Sequence, residues 1–249
     1  MQRLSTLALV MHSSRLALIA ALAAAPSPAH AIMTIAVDVG HTLAQPGATS
    51  ARGETEFNFN RALAATVQEA LQSAGFATQP IGEHGMMKAL TARTDAAAKA
   101  DFFFSVHHDS MQPRYLSSWN FEGKTLAYGD GFSGFSLFVS RKNPHWPASL
   151  KCASAMGGAL IRAGFKPSRH HAEPIAGENR PFADEANGVH FYDDLLVLKT
   201  ARQPAVLLEA GIIVNRKDEL ILREPATREK ISKSVAGAFA SCLGKSSAN

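Results

Sequence analysis

Residues 102–110 read FFFSVHHDS, three consecutive phenylalanines that give way, through Ser and Val, to two adjacent histidines and an aspartate. A continuous apolar run bounded by polar residues is the pattern of a strand buried on both faces, a setting that suits Phe and Val. The histidines then stand where this strand leaves the core.

The neighbouring segments extend the same rhythm. Met33 to Val39 (MTIAVDV) is a strand rich in β-branched residues. Residues 59–74 place Phe59, Leu63, Val67 and Leu71 at helical spacing, and Gly75 is suited to end that helix. An apolar and Ala-rich stretch, Met86 to Ala100, leads into the strand at Phe102. Ala148 to Ala163 reads as a helix, Ala205 to Glu209 (AVLLE) as a buried strand and Ala226 to Leu243 as a closing helix. Strands separated by helices argue for a single-domain α/β fold, a mostly parallel twisted sheet flanked by helices. Residues 111–147 are rich in Gly, Ser and aromatics, with one more short strand in FSLFVS, and residues 166–194 are polar and loop-like. Both are long for connectors, which suits substrate-facing loops. No internal repeat, low-complexity tract or second module is visible.

A chain of 249 residues, 46% hydrophobic and 18% charged, has room for one ordinary globular core. Residues 1–31 read differently. Arg3 and Arg15 are the only charges, an apolar run follows from Leu16 to Ala25, and Ala29-His30-Ala31 has the small-x-small form of a cleavage site. That run is short of the roughly 20 residues that span a bilayer, so the segment reads as a secretory signal peptide, with no membrane span after its removal. The expected location is the periplasm or the extracellular space. Residues 32–249 then carry 23 basic against 21 acidic groups, net +2, which gives no support to a nucleic-acid partner. An oxidising compartment permits a bridge between Cys152 and Cys242. Cys242 nevertheless falls in step with Ile231, Val235 and Phe239 on one helical face, so a buried free thiol is the expectation.

In an open parallel sheet, ligands bind beyond the carboxyl ends of the strands. That rule selects His41 after the first strand (VDVGHT), His107 after the second and Glu209 at the end of the third (AVLLEAGIIVN). Imidazoles and a carboxylate are the ligands zinc prefers, and a catalytic zinc keeps one position open. A third protein ligand is available from RGETEFNFN, where Glu54 and Glu56 stand just before the first helix.

In this order, VDVGHT, GETEFNFN, FFFSVHHDS and LLEAGIIVN resemble the zinc-dependent N-acetylmuramoyl-L-alanine amidases of the Amidase_3 family, over residues 33 to about 243. The resemblance implies a catalytic amidase domain over residues 32–249. Its expected reaction cuts the amide between N-acetylmuramic acid and the L-alanine of the peptidoglycan stem peptide, with peptidoglycan or muropeptides as partners. It further implies one Zn2+ per chain held by His41, Glu56 and His107. Glu56 is preferred to Glu54 because it follows Gly53 by three residues and precedes Asn60 by four, as the family's glutamate does. The family's Ser-x-His motif selects His107 over His108, whose side chain leaves a strand on the opposite face. Glu209 matches the family's catalytic glutamate, which takes a proton from water and returns it to the leaving amine. This chain has Gly-His-Thr-Leu where the family often has Gly-His-Gly-Gly, and Ile212 where it has an aromatic. Arg93 matches a recurrent arginine and reads as structural. Some members carry a helix that blocks the site until a regulator moves it, and no strongly acidic helix of that kind is visible here. Two alternatives share these residues, a zinc exopeptidase acting on free peptides and a wall-binding protein without activity.

Overall fold

The computed structural model describes residues 32–244. The signal-peptide reading of residues 1–31 lies outside the described residues.

The chain opens with β1 (Thr34–Val39), α1 (Glu56–Ser73), β2 (Ala77–Ile81), α2 (Leu90–Ala96) and β3 (Phe102–Asp109). A hairpin follows, β4 (Ser117–Phe121) and β5 (Lys124–Tyr128), then β6 (Ser136–Val139) and α3 (Trp146–Arg162). The remainder comprises β7 (Phe182–Asp184), β8 (Val189–Phe191), α4 (Leu196–Thr200), β9 (Ala205–Ile212), α5 (Arg216–Arg223) and α6 (Pro225–Cys242). The main sheet has seven strands in the order β2-β1-β3-β9-β6-β8-β7. Strands β2, β1, β3 and β9 run parallel, β6 turns antiparallel against β9, β8 is parallel to β6, and β7 closes the edge antiparallel. The expected mostly parallel α/β sheet is therefore present, with reversals confined to the side that follows the catalytic-looking strands.

The three phenylalanines explain why β3 sits at the centre. Phe102, Phe103 and Phe104 are each 0% exposed. Phe102 and Phe104 join Leu63 and Val67 of α1, Met156 and Leu160 of α3 and Val235 and Phe239 of α6 in one core layer. Phe103 faces the other way, against Leu207 of β9 and Val197 and Leu198 of α4. Burial of each such ring is worth about 1.5–3 kcal/mol, which favours a central position for this strand.

Two elements are added by the structure and one expectation is corrected. Strand β2 (ATQPI) is absent from the sequence reading because Pro80 disrupts the pattern, and it is tolerated because β2 is an edge strand. The 86–100 stretch is helical only over Leu90–Ala96. Cys152 and Cys242 are bridged, with Cα atoms 5.2 Å apart, so the expected buried free thiol is wrong. Its helical phase had identified Cys242 as a core position, and α3 brings Cys152 to the same position in the same layer.

Candidate active site

The site forms at the carboxyl ends of β1, β3 and β9. Beyond β1 the chain turns at His41, which has φ +69, a left-handed conformation unusual for a residue with a side chain. The buried Arg93 guanidinium holds this turn, donating to Asp38 Oδ1 at 2.6 Å, to the Val39 carbonyl at 2.6 Å, and to the carbonyls of His41 and Met87. Asp38 is fixed in turn by Ser105 of β3, whose hydroxyl donates at 2.7 Å. The recurrent arginine is thus structural, as the sequence suggested, and the motif VDVGHT depends on it.

Glu56 begins α1, where the partial positive charge of a helix N-terminus favours a carboxylate. Its Oε2 lies 2.9 Å from His41 Nε2, and its Oε1 lies 3.0 Å from His107 Nδ1. Asn60, one turn on, donates to Oε1 at 3.1 Å, and the Ala48 amide donates to Oε2 at 3.1 Å. Burial alone would raise the Glu56 pKa, but the hydrogen bonds and charges of His107 and His41 outweigh it and hold the carboxyl well below its usual range. Glu54 instead pairs with Arg223 at 3.0 Å, on the outside of this turn. Of the two carboxylates the sequence offered, only Glu56 meets the histidines.

His107 is not beyond its strand, as the sequence reading had it, but within β3, directly opposite Glu209 of β9. His108 points to the other face, where its Nδ1 meets Asn60 Oδ1 at 2.8 Å and its ring packs on Phe59. Burial pushes its pKa down to about 3 and so keeps it neutral. Asn60 therefore touches both Glu56 and His108, a role that spacing alone could not reveal. Glu209 has an enclosed Oε2 without a hydrogen-bond partner. Burial first, then the charges of Asp109 and Glu56, raise its pKa well above the usual carboxyl value, against a smaller opposing effect from Arg180.

His41, His107 and Glu209 line one cavity of about 350 Å³. His171, Arg180 and Tyr192 form another part of its wall, contributed by the polar loop region that the sequence marked only as substrate-facing. Among the described residues, donor atoms of His41, Glu56 and His107 lie within 4.8 Å of one another. Two nitrogens and a carboxylate at that spacing are able to hold one metal ion, and Glu209 faces the same space without being one of the three.

Two glycines are required by this packing. A Cβ at Gly40 would lie 2.3 Å from the His107 ring, and one at Gly47 would lie 2.3 Å from Glu56 Oε2 and 2.6 Å from His41. Neither was legible as a site residue in the sequence.

Comparison with known proteins bears on the fold and the family. The structure of the amidase Ami1 from Mycobacterium smegmatis is similar, with a TM-score of 0.66 and 20% identity over 86% of this chain and 98% of that one. CwlV from Bacillus (Paenibacillus) polymyxa matches with a TM-score of 0.64 and 21% identity over 86% and 100% of the two chains. CwlD from Clostridioides difficile, solved in complex with the GerS lipoprotein, matches with a TM-score of 0.64 and 19% identity over 86% and 100%. At these identities the likeness establishes the fold, and no curated protein matches the chain. Residues 35–241 match the family Amidase_3, N-acetylmuramoyl-L-alanine amidase, so the chain belongs to that family.

Proposed function

We propose that this chain is a zinc-dependent N-acetylmuramoyl-L-alanine amidase acting on peptidoglycan or muropeptides, with His41, Glu56 and His107 as zinc ligands and Glu209 as the proton shuttle. The observation that carries this reading is the convergence of the three donors, with a carboxylate within hydrogen-bond distance of both imidazoles, at a cavity that Glu209 also lines. The donor set fits zinc, which takes imidazole and carboxylate at roughly 2.0–2.2 Å and leaves a position open in catalytic sites.

When bound, zinc supplies Lewis acidity towards water and the scissile carbonyl. His41, Glu56 and His107 position that centre, while Asn60 and the Ala48 amide fix the Glu56 carboxylate so that it does not rotate away. Glu209 Oε2, enclosed and without another partner, accepts the proton of the attacking water. In the metal-free protein its burial favours the protonated form, so this side chain is able to hold a proton between the two steps. The same oxygen then delivers the proton to the departing amine of L-alanine, which cannot leave as an anion. Phe138, Leu195 and Val197 give the same cavity an apolar stretch of wall.

Export of the protein is part of the proposal. It is supported by the Cys152–Cys242 bridge, which persists in an oxidising compartment. The test is digestion of purified peptidoglycan followed by mass spectrometry, with and without a zinc chelator. Free stem peptides beginning with L-alanine, and glycans that keep their lactyl groups, are the expected products. Cleavage inside the stem peptide would replace this reading with an exopeptidase, full activity after metal removal would end the zinc mechanism, and binding without any product would identify a wall-binding protein.

A further inference from the structure

We infer that Asp109, His170 and His171 form a second site for a divalent transition-metal ion, separate from the first and sharing no ligand with it.

The geometry begins with two histidines whose outer nitrogens are already committed. His170 Nδ1 lies 2.9 Å from Ser168 Oγ, and His171 Nδ1 lies 2.8 Å from Glu178 Oε2. Each arrangement turns the other nitrogen, Nε2, inward, and both Nε2 atoms converge on one oxygen, Asp109 Oδ2, at 3.3 and 2.8 Å. Asp109 Oδ1 is occupied by the Ser110 amide at 2.8 Å, so the carboxylate is held with Oδ2 aimed at the imidazoles. Glu178 is itself fixed by Gln112 at 2.8 Å and by Arg180. An imidazole with one nitrogen bound to a carboxylate or hydroxyl and the other directed at a metal is the usual outer-shell pattern of histidine ligands.

Asp109 makes a hydrogen bond with His171 but only a longer contact with His170. His170 is 1% exposed, and its Nε2 makes no hydrogen bond although it faces Asp109. Leaving a buried nitrogen without a hydrogen bond costs up to about 1–3 kcal/mol, which a bound cation would offset. Donors on a tetrahedral zinc stand about 3.3 Å apart. The His170 to Asp109 distance matches this spacing, and the His171 to Asp109 distance falls about half an ångström short of it. The donor atoms of this triad lie within 4.8 Å of one another, as do those of His41, Glu56 and His107. Two imidazoles with one carboxylate favour zinc and its transition-metal neighbours over calcium or magnesium, which prefer oxygen. His171 lines the cavity, which gives an ion a route in. Once bound, the ion would fasten residues 168–180 to the end of β3.

The test uses the full chain, stripped with a chelator, loaded with zinc chloride, dialysed and read by elemental analysis. Two zinc ions per chain are expected for the wild type, one for His41→Ala and one for His170→Gln. Cobalt loaded into His41→Ala should give visible absorption bands that vanish when His170→Gln is added. Ser168→Ala keeps all three donors and loses only the contact that orients His170, so it should weaken the second zinc about tenfold or more without unfolding the chain. A His41→Ala protein that holds no ion overturns the inference, as does a second zinc that is indifferent to both His170→Gln and Ser168→Ala. If His41→Ala and the wild type each hold one zinc and His170→Gln holds none, this site stands and the zinc centre of the proposed function fails.

Discussion

Gly47→Ala tests the active-site geometry at a residue that carries no chemistry. Gly47 has φ +76, and a Cβ there would lie 2.3 Å from Glu56 Oε2 and 2.6 Å from the His41 ring. Two costs follow. The left-handed backbone disfavours any side chain by about 1–2 kcal/mol. The contact must also open by roughly 1 Å to reach an ordinary van der Waals distance of about 3.5 Å. Metal ligands tolerate displacements of only about 0.2 Å, and a 1 Å misplacement in a catalytic array costs on the order of 10²-fold, or about 2.7 kcal/mol in the barrier. Gly123, in the turn between β4 and β5, is the matched control, because it also has φ +76 but nothing lies within 4 Å of its added Cβ. Both variants should lose about 2–4 °C of thermal midpoint per kcal/mol of backbone cost. Only Gly47→Ala should lose zinc affinity, measured by chelator competition, and turnover by about 10²-fold. If Gly47→Ala bound zinc and turned over like Gly123→Ala, the packing of Glu56 against His41 would not be what assembles the site.

Other substitutions probe separate parts of the same argument. Glu209→Gln keeps the shape but not the proton transfer, so turnover should fall by about 10²-fold or more while zinc content is retained. Because the folded-state pKa of Glu209 is raised, its ionisation opposes folding, with the penalty appearing as pH rises above the unfolded value and complete above the folded one. The metal-free Glu209→Gln protein should therefore be more stable than the wild type at neutral pH, and equal or lower stability by urea titration would contradict that account. His107→Ala should abolish zinc binding at the first site, whereas His108→Ala should spare most of it and act through Asn60; the reverse result, read by metal content, would put the wrong face of β3 at the site. Replacing both Cys152 and Cys242 by Ala opens a loop of 90 residues. Chain entropy predicts a loss of about 4–5 kcal/mol, visible as a lower urea midpoint, and a change below about 1 kcal/mol would remove the bridge as a main support.

Local chemistry in the sequence determined much of this protein. FFFSVHHDS opens with three phenylalanines and carries Val106 after Ser105, the pattern of a strand buried on both faces, and the period of two in a strand separates His107 from His108. The spacing of Phe59, Leu63, Val67 and Leu71 likewise dictated the face that α1 buries. What depended on tertiary structure were relations between segments distant in the chain. Whether Cys152 meets Cys242 depends on how α3 and α6 pack, since each helix alone records only which of its positions is buried. Strand β2 exists because β1 offers it an edge, not because ATQPI favours a strand. Gly47 matters only because α1 brings Glu56 beside it, and His170 and His171 read as loop polarity until Asp109 stands across from them. A sequence records which side chains must leave water and with what period, whereas convergence of donors depends on strand order and loop closure, which no local pattern encodes.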